Sequence, residues 1–510
     1  MLTGQDDAEY IALSRSIRQG GYNDLFRIDA PAHHTYPPAY PALLAAWGAV
    51  AGDDFDRLVA QNVLISGAAL VVLLIAVRRA SDPTLAYLCT ALVAINPTLI
   101  EFAGEIRSEP SYMFFALLSL YLLMRAEGRA RWLAGGMVFA LLAAATRVVG
   151  ATLLVAVIAT WVLEKRWRLV GGFAAAAIVA GAAWLFWTSR SHDQFIGVSY
   201  LAELRALLGG TPPDSNLLQR MIRSARYYAT ITVPWQFAIP TVRGTAIDNA
   251  AGAFVLWITI PAGAVVLFRK WRPAILYLGA YALLLLVWVF TVDRFVLPVV
   301  PLLIVCSIVG ASRLGRGLGR RGNVVVPAAL ASVLALGAIP RVAALVRHNG
   351  SCHVEGRYPP ATCMTEAQAS YFEALRWIDA NLPADAVLLT AKPGALWLYT
   401  GRRVVSYDAG IRQDSAAFIP WLRESGAGWV LLNKLHNREP SYLVPLLRAN
   451  CRSLTVVAEF PPGTTLFGID GEPSDQGRAA CSIVGDYDVS AVQLDVEPRL
   501  QNRVPAVRRR

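Results

Sequence analysis

Charged residues are scarce in this sequence. They make up 16% of its 510 residues, while hydrophobic residues make up 55%; an average soluble protein has about 25% charged residues. A soluble chain of this length would fold into several domains with polar surfaces, and this composition does not supply those surfaces. Apolar runs close to the roughly 20 residues that cross a bilayer as a helix recur along the chain. The sequence therefore predicts a polytopic membrane protein.

Metal-binding motifs and a cleavable signal peptide are also missing. No CxxC, HExxH or paired-cysteine spacing occurs, which argues against a zinc site, and the chain opens with the polar segment MLTGQDDAEY. The net charge of +11 would suggest a nucleic-acid partner in a soluble protein. Here the basic residues lie in short loops between apolar segments, so they indicate membrane topology and no nucleic acid is expected.

Ten segments are predicted to span the membrane. They are residues 57–77, 84–104, 109–124, 132–147, 148–163, 169–189, 250–268, 273–290, 295–311 and 324–342. Alternate connections hold fifteen basic residues: Arg78, Arg79, Arg125, Arg129, Arg131, Lys165, Arg166, Arg168, Arg269, Lys270, Arg272, Arg313, Arg316, Arg320 and Arg321. The positive-inside rule assigns these loops to the cytoplasm. The protein is therefore expected in the plasma or inner membrane of a bacterium.

Three parts follow from this topology. Residues 1–56 form an outer acidic loop with juxtamembrane helices, one of them predicted at 36–50; residues 57–342 form the transmembrane bundle, with an outer loop at 190–249. An interfacial helix is predicted in that loop, because NLLQRMIRSARYY places apolar residues on one face and arginines on the other. An outer N-terminus is expected either to follow a first helix missing from this sequence or to be translocated with the hairpin behind it.

Residues 343–510 are predicted to form an extracytoplasmic α/β domain. Thr365 and Gln368 form a capping-box pattern that opens a helix, and strands are predicted at 386–390, 403–407, 429–433 and 454–460. Its four cysteines predict two disulfides in an oxidising compartment, most simply Cys352–Cys363 and Cys451–Cys481; three pairings are formally open. Cys89 and Cys306 lie in spans and are expected in the core.

Ionisable residues concentrate at the predicted outer ends of the spans. The candidates are Asp6, Asp7 and Tyr10 in the first outer loop, and Arg107, Glu109, Arg147, Asp293 and Arg294 further along. Charged groups at membrane depth are costly and mark sites or pathways, and arginine can grip a phosphate with two hydrogen bonds. The alternatives are a solvated or dipole-complementing acidic N-terminus and structural ion pairs. Together, these residues fit a lipid-linked phosphate substrate.

The motifs occur in a characteristic order: D-D-x-x-Y (Asp6, Asp7, Tyr10), YPPAYPALL, RSEP entering a span, ATR in a later hairpin and DRFVLPVVPLL in a late span. This order, over residues 5–345, resembles the GT-C glycosyltransferases of the protein-mannosyltransferase and aminoarabinose-transferase type. That family carries an acidic D-E pair in its first outer loop. Asp6 matches the leading Asp, whereas Asp7 stands where Glu is more usual. A helix also precedes the pair in the family, and this sequence lacks it.

The resemblance implies transfer of a hexose or pentose from a polyprenyl-phosphate donor to a protein, lipid or glycan acceptor on the non-cytoplasmic face. Asp6 would be the catalytic base, with Asp7 beside it, and Arg107, Arg147 and Arg294 would grip the phosphate. Tyr10, Glu109 and Asp293 would help to bind substrate. Asp7 and Glu109 are the candidates for binding a divalent cation such as Mg²⁺ or Mn²⁺, and no cofactor is certain. The alternatives are another lipid-linked glycan enzyme, such as a polymerase or ligase, and a transporter of lipid-linked sugars.

Overall fold

The computed structural model describes residues 5–126, 129–189, 217–239, 246–288, 291–319, 321–350, 352, 358, 360, 363–435, 439–469 and 477–487. The chain divides into two compact units. One unit combines the N-terminal residues up to His33 with the residues from His348 onward, and we call it the α/β unit. The other consists mainly of residues from His34 to Arg347, and we call it the membrane unit. No sequence pattern indicated that the two chain ends fold together.

The α-helices of seven or more residues in the described part of the chain up to Gly350 follow in chain order. They are α1 (Gln5–Arg18), α2 (Ala39–Ala51), α3 (Phe55–Ala80), α4 (Pro83–Ala94), α5 (Pro97–Ala103), α6 (Glu109–Arg125), α7 (Ala130–Thr146), α8 (Ala151–Leu163), α9 (Trp167–Ser189), α10 (Leu217–Tyr227), α11 (Ala246–Lys270), α12 (Arg272–Val287), α13 (Val300–Gly315) and α14 (Gly322–Gly350). A 3₁₀ segment, Asp293–Val299, leads into α13. All except α1 belong to the membrane unit.

Each of the ten predicted spans overlaps a helix, but not every helix is long enough to cross a bilayer unaided. Within the described residues, five helical segments meet the length and hydropathy of a span: Phe55–Ala80, Trp167–Ser189, Gly252–Lys270, Asp293–Leu318 and Gly322–Gly350. The pair α4 and α5, bent by 60°, qualifies as a sixth. The other predicted spans coincide with helices of 17 residues or fewer, which local thinning of the bilayer can accommodate. The protein is a multi-pass membrane protein.

Helices α6 and α13 form the centre of the bundle. Eleven residues of α6 are buried. In the helical segment Asp293–Leu318, which contains α13, 89% of an 18-residue apolar stretch is buried. Helix α11 lies against α13 so closely that a Cβ on Gly263 would overlap the Cys306 carbonyl, and one on Gly310 would overlap the Thr259 carbonyl. Small residues permit such backbone contact between membrane helices. Cys306 and Cys89 are buried free thiols, as predicted.

The juxtamembrane helix and the interfacial helix predicted outside the spans are both present. Helix α2 covers the apolar stretch predicted at 36–50, and α10 covers the predicted interfacial helix. Leu218 and Ile222 on α10 are exposed, which is consistent with a face that meets lipid. The predicted outer loop 190–249 otherwise lies largely outside the described residues.

The α/β unit contains a five-stranded sheet. Its elements are α15 (Glu366–Asn381), β1 (Val387–Thr390), α16 (Pro393–Thr400), β2 (Arg403–Val404), α17 (Phe418–Glu424), β3 (Trp429–Leu432), α18 (Val444–Ala449), β4 (Leu454–Phe460), β5 (Thr464–Ile469) and α19 (Gly477–Gly485). The strand order is β2-β1-β3-β5-β4. Strands β1, β2 and β3 are parallel, whereas β5 pairs antiparallel with β3 and β4. The predicted strands are all present, although β2 is only two residues long.

Two local predictions for the α/β unit are confirmed. Thr365 and Gln368 form both hydrogen bonds of a capping box at the start of α15, which satisfies two backbone donors that the helix leaves open. Disulfides join Cys352 to Cys363 and Cys451 to Cys481, the pairs that sequence proximity favours. Strand β5 was not predicted, because its short apolar run TTLFGI follows directly on a Pro-Pro-Gly turn.

Candidate functional site

A buried ion pair marks one end of the membrane unit. Glu109 begins α6, followed by Pro110 in the first turn, a position where a carboxylate complements the helix dipole. Arg147 lies in the extended break between α7 and the turn before α8. Its Nη1 is 2.7 Å from Glu109 Oε1 and donates a hydrogen bond of 2.9 Å to Ser108 Oγ. The side chains of Glu109 and Arg147 are 3% and 19% exposed, so each charge compensates the other where water is scarce.

The close packing of the chain around Arg147 fixes the position of its side chain. Gly150 follows three residues later, and a Cβ there would overlap the backbone of Ala143 and Ala144. The turn can therefore fold back on the end of α7 only because this residue is glycine. The sequence showed Arg147 interrupting an apolar hairpin, and the structure shows that the interruption presents the guanidinium to the start of α6.

Arg107 belongs to the same region. The connection between α5 and α6 is held by Asn62 of α3, whose Nδ2 donates to the carbonyls of Glu105 and Arg107 at 2.5 and 2.9 Å. The Arg107 guanidinium pairs with Glu105 and lies 5.4 Å from the Phe102 ring centre. This places a second arginine, 17% exposed, in the segment that leads directly to Glu109.

Asp293 and Arg294 begin the 3₁₀ segment before α13. The Asp293 carboxylate accepts a hydrogen bond of 2.5 Å from Thr232 Oγ1, and Arg294 lies 5.9 Å from the Phe295 ring centre. Tyr281 Oη donates to the Phe295 carbonyl at 2.8 Å and is within electrostatic reach of Glu109 and Arg147. The structure thus brings five predicted substrate-binding residues to neighbouring elements of the membrane unit: Arg107, Glu109, Arg147, Asp293 and Arg294.

A small cavity adjoins the ion pair. It has room for about one water molecule, and its walls include Glu109 beside the apolar residues Phe102, Met113, Leu297 and Pro298.

The acidic pair of the sequence belongs to the α/β unit. Asp6 and Asp7 occupy the first turn of α1; Asp7 is 1% exposed and Asp6 is half-buried. Tyr10 on the same helix is buried. Burial raises the pKa of the Tyr22 hydroxyl, and the nearby Tyr10 and Asp24 raise it further. Of the two carboxylates, Asp6 is the more accessible to solvent.

Several polar residues of these regions were not among the sequence candidates. Asn62 donates to the carbonyls of Glu105 and Arg107, and Thr232 donates to the Asp293 carboxylate. Gln236 donates to the Asp293 carbonyl, and its own carbonyl accepts a hydrogen bond of 2.7 Å from Asn96. In the α/β unit, His33 Nδ1 lies 2.6 Å from Asp24 Oδ1 in a buried pair. A polar residue inside an apolar run is the signal that could have found Asn62, because it must bond to something within the membrane.

The candidate cation ligands Asp7 and Glu109 belong to different units. In the part of the chain that the structure describes, no group of three or more His, Cys, Asp or Glu side chains could hold a metal ion. Divalent-cation binding therefore stays a prediction from the resemblance.

No protein-family model matches the chain, and no curated protein matches its sequence. Solved structures do match. ArnT from Cupriavidus metallidurans bound to undecaprenyl phosphate has a TM-score of 0.53 at 15% identity, over 92% of this chain and 95% of ArnT. The Archaeoglobus fulgidus oligosaccharyltransferase tethered with an acceptor peptide has a TM-score of 0.51 at 13% identity, over 94% of this chain and 73% of that one.

The same oligosaccharyltransferase in complex with Zn and sulfate has a TM-score of 0.54 at 15% identity, over 92% of this chain and 69% of the other. The likeness thus extends over almost the whole chain and includes both the helical bundle and the α/β unit. At these identities it establishes the architecture: the protein has the GT-C fold that its sequence motifs resemble.

Proposed function

We propose that this protein is an integral-membrane glycosyltransferase that transfers a sugar from a polyprenyl-phosphate donor to an acceptor on the non-cytoplasmic face. The observation that carries the proposal is the fold shared, over 92% of this chain and 95% of ArnT, with a structure bound to undecaprenyl phosphate. The cluster of Arg107, Glu109 and Arg147 supports it, because a phosphate at the membrane surface needs such fixed cations.

The chemistry requires three contributions from the protein. A polyprenyl phosphate is a good leaving group, so the enzyme must orient the acceptor, take its proton and stabilise the charge on the departing phosphate. Asp6 would take the proton, because it is the more accessible carboxylate of the pair. Arg107, Arg147 and Arg294 would stabilise the phosphate, and Tyr10, Glu109 and Asp293 would help to bind the substrates.

A second candidate is transfer of an oligosaccharide from a lipid carrier. The likeness to the Archaeoglobus fulgidus oligosaccharyltransferase favours it, although this chain covers only 69–73% of that protein. The two candidates share the lipid phosphate and differ in the size of the transferred glycan. The donor panel therefore has to include both classes.

The test uses purified full-length protein reconstituted in lipid nanodiscs. It is incubated with radiolabelled polyprenyl-phosphate monosaccharides and with lipid-linked oligosaccharides, and release of the lipid phosphate and label on an acceptor are measured. Time-dependent release with one donor supports the proposal. Movement of intact donor across a vesicle membrane without any release would instead indicate a transporter.

The Asp6→Asn variant tests the role of the base. Because the amide keeps the shape and removes the charge, kcat should fall by about 10²–10⁴ while the KM for donor stays unchanged. Asp29→Asn is the matched control, since Asp29 is an exposed carboxylate of the same unit, paired with Arg27. If Asp7→Asn abolishes turnover and Asp6→Asn does not, the base is Asp7.

For the arginine variants we expect the opposite kinetic pattern, a change in the KM for donor. Arg107→Ala and Arg294→Ala should raise the KM for donor, because they remove phosphate contacts, and Arg321→Ala, at an exposed position, should leave it unchanged. An unchanged KM in both variants would contradict their assignment to the phosphate.

A further inference from the structure

The helix with the acidic pair packs on a helix from the other end of the chain. Helix α1 lies against α16 within the α/β unit. The contact is tightest at Gly394, the second residue of α16: a Cβ there would lie 3.2 Å from the Ala8 Cβ and 3.2 Å from the Glu9 backbone nitrogen. Such a distance is shorter than ordinary contact and would force the neighbour to move. Glycine therefore allows the first turn of α1 to approach α16 this closely.

Further contacts hold the N-terminal segment on the same unit. The Arg15 guanidinium lies 5.7 Å from the Trp397 ring centre, one turn along α16. After α1, the chain pairs with the edge of the sheet: Val404 of β2 donates to the Phe26 carbonyl at 2.9 Å, and Ile28 donates to the Val404 carbonyl at 3.2 Å. Residues 5–28 are thus held at both ends, by α16 at the start and by β2 at the end.

The surface that holds α1 is itself rigid. Two residues separate helix α16 from the end of β1, and Pro393 in the first turn of the helix fixes the backbone there. Lys392, Gly394 and Ala395 at this junction are all buried. On α1, Asp7, Ala8 and Glu9 are buried as well. The first turn of α1 consequently has little freedom to shift against the sheet.

We propose that α16 positions the acidic pair, with Gly394 and Trp397 as positioning residues that act through α1. The inference rests on the proposed function and assigns a role to the α/β unit: it sets the place of the Asp6 carboxylate. Reactions of this kind tolerate little displacement, since a shift of about 1 Å can cost about 10²-fold in rate, and sites are most precise when they are built on rigid elements.

Substitution at Gly394 tests this role. Gly394→Ala should displace α1 by a few tenths of an ångström and lower kcat by about three- to tenfold, whereas Gly394→Val should lower it by about 10²-fold. The KM for donor should not change, because the arginines assigned to the phosphate lie outside this contact. Gly428→Ala is the matched control: it lies in the same unit, and an added Cβ there meets no atom within 4 Å.

A rescue experiment separates positioning from general damage to the fold. Ala8→Gly removes the methyl group that opposes the new side chain, so the double variant Ala8→Gly, Gly394→Ala should recover part of the kcat lost by Gly394→Ala. Amide hydrogen exchange gives a readout that does not need activity. Gly394→Val should speed exchange in residues 5–18 and leave exchange in β3 unchanged.

The outcomes are distinguishable. Normal kcat in Gly394→Val, or unchanged exchange in α1, would overturn the positioning role. Loss of activity with equal loss of protection in β3 would also overturn it, because it would show a folding defect. If the wild-type protein releases no lipid phosphate from any donor, the proposed function fails; exchange confined to α1 would still support its attachment to α16.

Discussion

The Glu109–Arg147 pair allows the sharpest test of the membrane unit. Arg147→Met keeps most of the length of the side chain and removes the guanidinium, leaving the 3%-exposed Glu109 carboxylate without that partner. Removing one member of a buried pair costs about 3–5 kcal/mol. Because a fifth of the Arg147 side chain is exposed, the lower figure of about 3 kcal/mol applies, and losing the bond to Ser108 adds about 1 kcal/mol.

The double variant removes the cost of the isolated charge. Glu109→Gln together with Arg147→Met leaves a neutral amide, so at least half of the loss of about 4 kcal/mol, about 2 kcal/mol or more, should be recovered. The measurement is the free energy of unfolding in mixed detergent micelles, followed by tryptophan fluorescence. Arg166→Met is the control: Arg166 pairs with Glu164 at 3.2 Å, but the side chains are 49% and 30% exposed, and such pairs contribute about 1 kcal/mol or less.

Two results would refute the reasoning. Equal stability of Arg147→Met and Arg166→Met would show that the pair is not buried as described. Additive losses in the double variant would show that Glu109 and Arg147 do not compensate each other. Either result would also remove the support that this pair gives to a phosphate site.

Three further outcomes are expected. Alkaline phosphatase fused after residue 345 should be active and a fusion at residue 128 inactive, because the positive-inside rule assigns the basic loops to the cytoplasm; the reverse pattern would contradict that assignment. Replacing Cys451 and Cys481 by Ser should cost about 3–4 kcal/mol for a loop of this length, measured by thermal unfolding with and without reductant. Burial raises the pKa of Glu439 well above its ordinary value, so the folded state holds a proton that the unfolded state releases. Stability should therefore fall as pH rises above about 4.5, by up to about 1.4 kcal/mol per pH unit; Glu439→Gln should flatten that slope, and an unchanged slope would exclude Glu439 as its source.

Local signals in the sequence were sufficient for most elements. The apolar runs marked the helices because membrane helices satisfy their own backbone hydrogen bonds, and the Thr365–Gln368 pattern marked the start of α15 because it acts within four residues. The attachment of α1 to α16 could not be predicted. It joins residues almost 390 positions apart through a glycine that meets the Ala8 methyl group and the Glu9 backbone, and such contacts leave no periodic pattern.

The candidate site, too, could be predicted from the sequence only in part. Arg107, Glu109 and Arg147 could be found because charge is rare in membrane segments, but the pairing of Glu109 with Arg147 depends on a turn that Gly150 permits.

The number of spans is constrained by the α/β unit. Because residues 5–33 and those after 348 fold in one compact unit, they lie on the same side of the membrane and the crossings between them are even in number. Five spans alone cannot satisfy this condition, whereas six, with α4 and α5 counted as one span, or ten can.

The shared unit of the two chain ends also sets an order for biosynthesis. Gly394 leaves the ribosome about 385 residues after Glu9, which at roughly 5–20 residues per second corresponds to about 20–80 s. During that interval α1 has been synthesised and its partner surface does not exist. The acidic helix therefore completes its packing only after residue 394, downstream of α14, has been synthesised, so a shorter chain contains Arg107, Arg147 and Arg294 but cannot hold Asp6 on α16. On the proposed function, activity cannot appear before that point in synthesis.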